Sequence, residues 1–258
     1  MNLCKKIELT RLFSRKKMEF LEVVPYIQTI HCSETKKPVG GEVLCRIRTP
    51  TGLVLTNKHI EAIERSDRAD LYTDSLLKSI LHFYLGRDAS YLNNFVLSLN
   101  VRIFQINSLF LMKSIDSFLE NFPTNIKVQL EIVERGMPEI NEEMIDSIEH
   151  YRSKGVKVVM DDFIFDKKTI KYLEVSQLSS IKLDKEITML FHGNLAHLKL
   201  IEALINFAKK FDLAIVAEGV ESDIQADILK ALGVEYLQGY LFSKPMSLSN
   251  FDSYMKDK

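Results

Sequence analysis

Short apolar runs of strand length alternate with amphipathic helical segments along most of this 258-residue chain, from about Gly41 to the C-terminus. No linker-like segment, short-period repeat or low-complexity stretch interrupts the alternation. Such a pattern predicts a parallel sheet whose strands are joined by helical crossovers. Seven or eight such units in about 230 residues fit a closed (β/α)8 barrel better than an open sheet. We therefore predict an α/β fold of this barrel type.

The periodicity of the apolar residues sets the predicted elements. We predict strands at residues 20–32 (broken at Pro25), 41–48, 95–101, 127–133, 156–162, 180–184, 213–218 and 236–240. We predict helices at residues 57–65, 69–85, 105–120, 141–154, 170–175, 195–211 and 222–232. The strand at 41–48 is unusual, because Glu42, Leu44 and Arg46 share one face, which does not suit a plain apolar core.

Polar side chains follow the apolar runs at the points where the predicted strands end. Residues 158–160 lead directly into Asp161 and Asp162, two carboxylates that repel each other and lose solvation. A divalent cation would offset that cost. The alternative is that the pair only caps the next segment. The strand ends together carry Asn100, Glu131, Asp161, Asp162, Lys182, Glu218 and Gln238, joined by Glu42 if its strand brings it to the same mouth.

In barrels of this type the chemistry is found at the carboxyl ends of the strands. Carboxylate and amide oxygens suit Mg²⁺ or Mn²⁺. Two ions about 3.5–4 Å apart would polarise a phosphate and activate a water, and Lys182 could position that water or stabilise developing charge. Taken singly, Lys182 is more often a solvated surface lysine, and Gln225 is an exposed helix residue or a supporting hydrogen-bonder. The coincidence of polar residues at five or more successive strand ends predicts metal-assisted hydrolysis of a phosphate ester.

Composition excludes several other classes of protein. The formal net charge of −1 does not support a nucleic-acid-coating surface, so no DNA binding is expected. Six histidines without H-E-x-x-H spacing predict no zinc site. Three cysteines without a C-x-x-C pair predict reduced thiols in a cytoplasmic protein. We expect no transmembrane segment, because no run of 18 apolar residues exists, and the basic N-terminus lacks the apolar core of a secretory signal.

From about Glu22 to Leu248 the chain resembles the EAL domain family, the bacterial cyclic-di-GMP phosphodiesterases. Nine motifs match in order. They are residues 25–28 (PYIQ), 42–44 (EVL, for Glu-Ala-Leu), Arg46, 98–100 (SLN), 130–134 (LEIVE), 161–163 (DDF), 181–184 (IKLD), 217–221 (AEGVE) with Gln225, and 238–245 (QGYLFSKP).

The resemblance implies a modified TIM-type barrel whose first strand is antiparallel to the others, which would explain how Glu42, early in its strand, reaches the mouth. It implies a catalytic set of Glu42, Lys182, Glu218 and Gln238, with Leu44 and Arg46 holding the dinucleotide. It implies two Mg²⁺ or Mn²⁺ ions bound by Glu42, Asn100, Glu131, Asp161, Asp162 and Glu218. The product would be linear pGpG, the protein could form a homodimer, and motility and biofilm control would be the regulated processes.

One segment departs from the family pattern. Where the family has G-T-G-Y-S-S after Asp162-Phe163, this chain has IFDKKT at residues 164–169, without either glycine. Positive φ is costly for Ile164. Glu134, which resembles the residue that anchors this loop, is present. We expect a working enzyme at residues 20–258 after a basic lead-in at 1–19. The alternative is a weak or inactive regulator that binds cyclic-di-GMP or a partner protein.

Overall fold

The computed structural model describes residues 22–48, 52, 54–55, 68–133, 141–161 and 178–258, with only the backbone at 54, 55, 133 and 161. The predicted lead-in at 1–19, the helices at 57–65 and 170–175, and the altered loop at 164–169 lie outside these ranges. The strands, in chain order, are β1 Glu22–Cys32, β2 Pro38–Arg48, β3 Val54–Leu55, β4 Val96–Val101, β5 Lys127–Val133, β6 Lys157–Asp161, β7 Ser180–Leu183, β8 Leu190–Phe191, β9 Asn194–Leu195, β10 Ala214–Ala217, β11 Tyr236–Gln238 and β12 Met246–Ser247.

Eight of these strands close into a barrel. Their order around it is β1, β11, β10, β7, β6, β5, β4 and β2, and the pairing of β2 with β1 completes the circle. Neighbouring strands from β2 to β11 are parallel, as in a TIM-type barrel. β1 is antiparallel to both β2 and β11. The predicted barrel with an antiparallel first strand is therefore confirmed.

The prediction that an antiparallel strand brings Glu42 to the mouth is wrong. Glu42 lies on β2, which is parallel to β4, and the reversed strand is β1. Glu42 pairs in register with Ser98 of β4, two residues before Asn100. β2 pairs with β4 only up to Val43, and its later residues extend beyond the end of the barrel, where they pair with β1 and β3. Glu42 is therefore close to the mouth although it lies in the middle of its strand. Pro25 also does not break β1, which is continuous from Glu22 to Cys32.

The helices are α1 Ala69–Tyr84, α2 Leu109–Asn121, α3 Glu142–Ser153, α4 Lys185–Thr188, α5 Leu198–Lys210, α6 Asp223–Leu232 and α7 Leu248–Lys256. Several ends follow local chemistry. Ser108, Asn141 and Ser222 cap α2, α3 and α6 through their side-chain oxygens. The Ser108 cap starts α2 later than the residue 105 predicted from periodicity. Helix α7 was not predicted from the sequence.

The side chains of the barrel strands differ between the outer face, which packs against the helices, and the inner face, which points into the barrel. Leu97 and Leu99 of β4 belong to the apolar cluster that also contains Ile80 of α1 and Ile115 of α2. The intervening residue, Ser98, is instead buried with a polar partner: its Oγ accepts from Nε2 of Gln129 at 3.0 Å. Because successive side chains of a strand point to opposite faces, this alternation directs the polar residues into the barrel.

Replacing Phe251 by alanine should destabilise the fold strongly. Its side chain is fully buried on α7, and its ring centroid lies 5.6 Å from that of Phe95, which precedes β4. Loss of a buried phenylalanine leaves a cavity, so we expect the free energy of unfolding to fall by about 3–5 kcal/mol in denaturant titrations. Ser253→Ala, on the exposed side of the same helix, is the control and should change it by about 0.5 kcal/mol or less. Equal effects would contradict this packing.

Candidate active site

The structure brings six of the predicted site residues to one end of the barrel. Glu42 comes from β2, Asn100 from β4, Glu131 from β5, Lys182 from β7, and Gln238 from β11, while Glu218 directly follows β10. Asn100 and Glu131 are register partners on adjacent strands. Because parallel strands present their carboxyl ends to the same side, residues distant in sequence meet there.

Lys182 lies among three carboxylates. Its Nζ is 2.5 Å from Oε1 of Glu218, 2.9 Å from Oε2 of Glu131 and 3.6 Å from Oε2 of Glu42. The Lys182 side chain is only 2% exposed and that of Glu131 is fully buried. The interpretation of Lys182 as a solvated surface lysine is therefore wrong. Buried charges in this number are tolerated only when they are paired and hydrogen-bonded.

Two amide side chains complete the surroundings of Glu42. Nδ2 of Asn100 donates to Oε1 of Glu42 at 2.7 Å, and Nε2 of Gln238 donates to Oε2 at 2.8 Å. Burial opposes ionisation of this carboxyl, but Lys182 and the two amide donors outweigh it and hold the pKa of Glu42 below its usual value. Glu42 is therefore a carboxylate at neutral pH.

The backbone around Glu218 is fixed by its neighbours. Glu218 N donates to the carbonyl of Leu183, and Oγ1 of Thr188 donates to the carbonyl of Glu218 at 2.5 Å. The next residue, Gly219, has φ +65°, and a Cβ there would lie 2.2 Å from Cβ of Lys185. Only glycine fits both constraints. The turn after β10 is thus packed directly against α4.

Gln225 supports the same turn. It is 4% exposed, its Oε1 accepts from Glu221 N at 2.9 Å, and its Nε2 donates to the carbonyls of Thr188 and Gly219. The alternative of an exposed helix residue is therefore wrong, and the supporting role is the one the structure shows.

A cavity of about 390 Å³ opens beside the carboxylates. The predicted substrate-binding residues Leu44 and Arg46 line it together with Glu42, which explains why these three share one face of β2. The guanidinium of Arg46 lies 5.7 Å from the centroid of the Tyr26 ring. Several further residues line the cavity that were not predicted to do so, and all but Lys185 stand in the matched motifs; they are Gln28, Asp184, Lys185, Gly219, Glu221, Gly239, Tyr240 and Pro245. Gln28 had a usable signal in the sequence, since it stands in the matched motif at 25–28, and the structure pairs it in register with Glu42.

The structure does not describe the side chains of three predicted site residues. Asp161 ends β6, where its backbone pairs with Val133, and Asp162 and Glu134 lie outside the described residues. Within the described ranges, no group of three histidine, cysteine or acidic side chains has a geometry ready for a metal ion. The donor chemistry nevertheless fits a hard divalent cation, because Glu42, Glu131 and Glu218 supply carboxylates and Asn100 an amide at one mouth.

Fold and site together define a TIM-type barrel protein with an acidic, lysine-centred site at the carboxyl ends of its strands. The EAL domain family matches residues 9–245. The chain is 28% identical over 242 residues to the cyclic di-GMP phosphodiesterase PdeL of Escherichia coli K12, covering 92% of this chain and 66% of that protein. It is 30% identical over 251 residues to the probable cyclic di-GMP phosphodiesterase PdeI of the same organism, covering 92% and 31%.

A solved structure agrees with these matches. The EAL enzyme Bd1971, with cAMP and cyclic-di-GMP bound, superposes with a TM-score of 0.78 at 25% identity, over 98% of this chain and 69% of that one. The chain belongs to the EAL domain family, and the resemblance in its motifs is confirmed. It spans about two thirds of the first of these curated relatives and about a third of the second. No helix among the described residues is long and apolar enough to cross a membrane.

Replacing Lys182 by methionine should destabilise the protein in a pH-dependent way. The change removes the ammonium from the buried carboxylates of Glu42 and Glu131, and we expect the free energy of unfolding at pH 7 to fall by about 3–5 kcal/mol. Lys182 helps to lower the pKa of Glu42, so this pKa rises in the variant. A raised folded-state pKa favours folding at low pH, and the deficit relative to wild type should therefore shrink between pH 7 and pH 5.

The matched control for this prediction is Lys199→Met, at an exposed lysine of α5. It should leave the free energy of unfolding nearly unchanged at either pH. A deficit in Lys182→Met that stays constant or grows on acidification would contradict the role assigned to the ammonium.

Proposed function

We propose that this protein is a cyclic-di-GMP phosphodiesterase dependent on Mg²⁺ or Mn²⁺, which hydrolyses the cyclic dinucleotide to linear pGpG. The observation that carries the proposal is the convergence of Glu42, Glu131 and Glu218 on Lys182 beside an open cavity. Membership of the EAL family and the names of the similar proteins support cyclic-di-GMP as the substrate.

The residues proposed to hold the metal ions are Glu42, Asn100, Glu131, Asp161, Asp162 and Glu218. When bound, such ions polarise a phosphate and lower the pKa of a coordinated water. The protein itself must bind and orient the dinucleotide. Arg46 at the cavity wall offers a guanidinium whose planar donors suit a phosphate. Leu44 offers an apolar surface beside it.

Lys182 and Gln238 are proposed to act next to the attacked phosphate. The ammonium of Lys182 is a donor and a positive charge at the place where charge develops on the phosphate oxygens. Oε1 of Gln238 is buried and has no hydrogen-bond partner among the described residues. A buried acceptor of this kind is available to orient a water or a substrate hydroxyl. Hydrolysis adds one water across one P–O bond of the ring, which leaves a linear dinucleotide with a terminal phosphate.

A second candidate function follows from the sequence of residues 164–169, which lacks both family glycines. The loss of these glycines so close to Asp162 in the sequence favours a weak or inactive EAL protein that binds cyclic-di-GMP or a partner protein. The acids proposed as ligands are all present in the sequence, and we therefore favour the enzyme. The cytoplasmic location, the homodimer, the division at residue 20 and the link to motility and biofilm control remain predictions.

A turnover assay separates the two functions. Purified protein incubated with cyclic-di-GMP and Mg²⁺ or Mn²⁺ should yield pGpG, detected by chromatography, and removal of the metal with a chelator should stop the reaction. Glu42→Ala and Glu218→Ala should each reduce turnover by about 100-fold or more, because each removes charge from the reacting centre. Glu149→Ala, at an exposed glutamate of α3, is the control and should retain wild-type turnover.

If calorimetry shows that cyclic-di-GMP binds but no product forms with Mg²⁺ or with Mn²⁺, the proposal of an enzyme is wrong and the regulator is favoured. Turnover that survives Glu42→Ala would show that the carboxylate cluster is not the reacting site.

A further inference from the structure

The loop of residues 239–245, here named the rim loop, forms one wall of the cavity through Gly239, Tyr240 and Pro245. Its first half is fixed to the turn after β10. Val220 N donates to the carbonyl of Gln238, Leu241 N donates to the carbonyl of Val220, both at 3.0 Å, and a Cβ on Gly239 would lie 2.1 Å from Val220 O. The backbones are in such close contact that this half of the loop cannot move independently.

The second half of the rim loop is held by β1, through Gln28 at the cavity wall and Thr29 behind it. Ser243 accepts two bonds there, one at its carbonyl from Nε2 of Gln28 at 3.0 Å and one at its Oγ from the backbone N of Thr29 at 3.2 Å. The hydroxyls of Ser243 and Thr29 are 2.7 Å apart. Both residues are buried, so these bonds are shielded from competition by water.

His31 extends this contact by one more step. Its Nδ1 lies 2.8 Å from the carbonyl of Lys36, and its Nε2 lies 2.8 Å from Oγ1 of Thr29, with the Tyr254 hydroxyl at 3.4 Å. The ring also stacks on Phe242, the residue before Ser243, at a centroid distance of 4.3 Å. His31 therefore contacts the rim loop directly through the face of its ring and is linked to it a second time through the Thr29 hydroxyl.

The partners determine the direction of each hydrogen bond. A carbonyl only accepts, so Nδ1 of His31 carries the proton and Nε2 of the neutral ring accepts from the Thr29 hydroxyl. Thr29 Oγ1 then accepts from the Ser243 hydroxyl. Burial is the main cause that holds the pKa of His31 below its ordinary value, although the bond to Lys36 opposes it, and this favours the neutral ring.

We propose that Ser243, Thr29 and His31 form a one-directional hydrogen-bond relay that positions the rim loop for dinucleotide binding. None of the three lines the cavity, so they are positioning residues and touch no reacting atom. The relay acts on the half of the rim loop that carries Phe242 and Ser243 and leads to Pro245 at the cavity wall, and it leaves Glu42 and Lys182 in place. This inference rests on the proposed function, since it assigns the relay to the binding of cyclic-di-GMP.

Thr29→Val tests the relay because valine keeps the shape and removes the hydroxyl. We expect the Kd for cyclic-di-GMP, measured by calorimetry, and KM each to rise about tenfold, with kcat within about twofold of wild type. Thr29→Ser restores the hydroxyl and should restore Kd and KM. Thr124→Val, the same change at a half-buried threonine on the loop between α2 and β5, is the matched control and should leave both constants unchanged. Ser243→Ala removes the hydroxyl at the other end and should reproduce Thr29→Val.

Two measurements test the relay without any nucleotide. The ¹⁵N shifts of His31 should show the neutral Nδ1–H tautomer in the wild type, and amide hydrogen exchange in residues 242–244 should accelerate about tenfold in Thr29→Val but not in Thr29→Ser. Unchanged exchange in Thr29→Val, or the opposite tautomer, overturns the relay. A wild type that shows the tautomer and the exchange pattern but binds no cyclic-di-GMP overturns the proposed function and the assigned ligand, while the relay itself stands. A fall in kcat with KM unchanged would place these residues in the chemistry and overturn the positioning role.

Discussion

The ion pairs of Lys182 are the interaction on which the rest of the site depends. Three glutamate side chains from separate segments of the barrel are directed at one mouth, and none of them is adjacent to another in the sequence. Their mutual repulsion would separate the strand ends if no positive charge lay between them. The ammonium meets this requirement because Lys182 projects from β7, which lies between β6 and β10, to within 3.6 Å of all three carboxylates. The barrel therefore closes around a set of buried ion pairs as well as around an apolar cluster.

The polar interior follows from the same arrangement. Serine and glutamine from β4 and β5 form a buried pair, and the next inward residues on these strands are Asn100 and Glu131. A polar layer of this kind is stable only where each member has a partner, since an unsatisfied buried group costs about 1–3 kcal/mol. These polar pairs extend from the middle of the barrel to its mouth, so the site residues are supported by a hydrogen-bonded layer below them.

Much of the fold and part of the site could be predicted from the sequence, because both are encoded in local patterns. Periodicity gave the parallel strands and most helices within a few residues, and the polar residues at strand ends identified Glu131, Lys182 and Glu218. Contacts between distant segments could not be predicted in this way. Thr29 and Ser243 are 214 residues apart, and nothing in either segment indicates the other. The burial of Gln225 likewise depends on a carbonyl of Thr188 that only the folded chain brings near.

The reversed direction of β1 has a consequence for the chain that leads into the barrel. In a barrel whose strands are all parallel, the first strand starts at the face opposite the catalytic one. Here the start of β1 pairs with the far end of β2, Glu22 opposite Arg48, beyond the level of Asn100. Glu22, the first residue of β1, thus lies on the face of the barrel that carries the candidate site. The entry into the barrel is therefore at the rim of the cavity, so a unit placed before β1 would connect to the barrel on the side where the dinucleotide is proposed to bind.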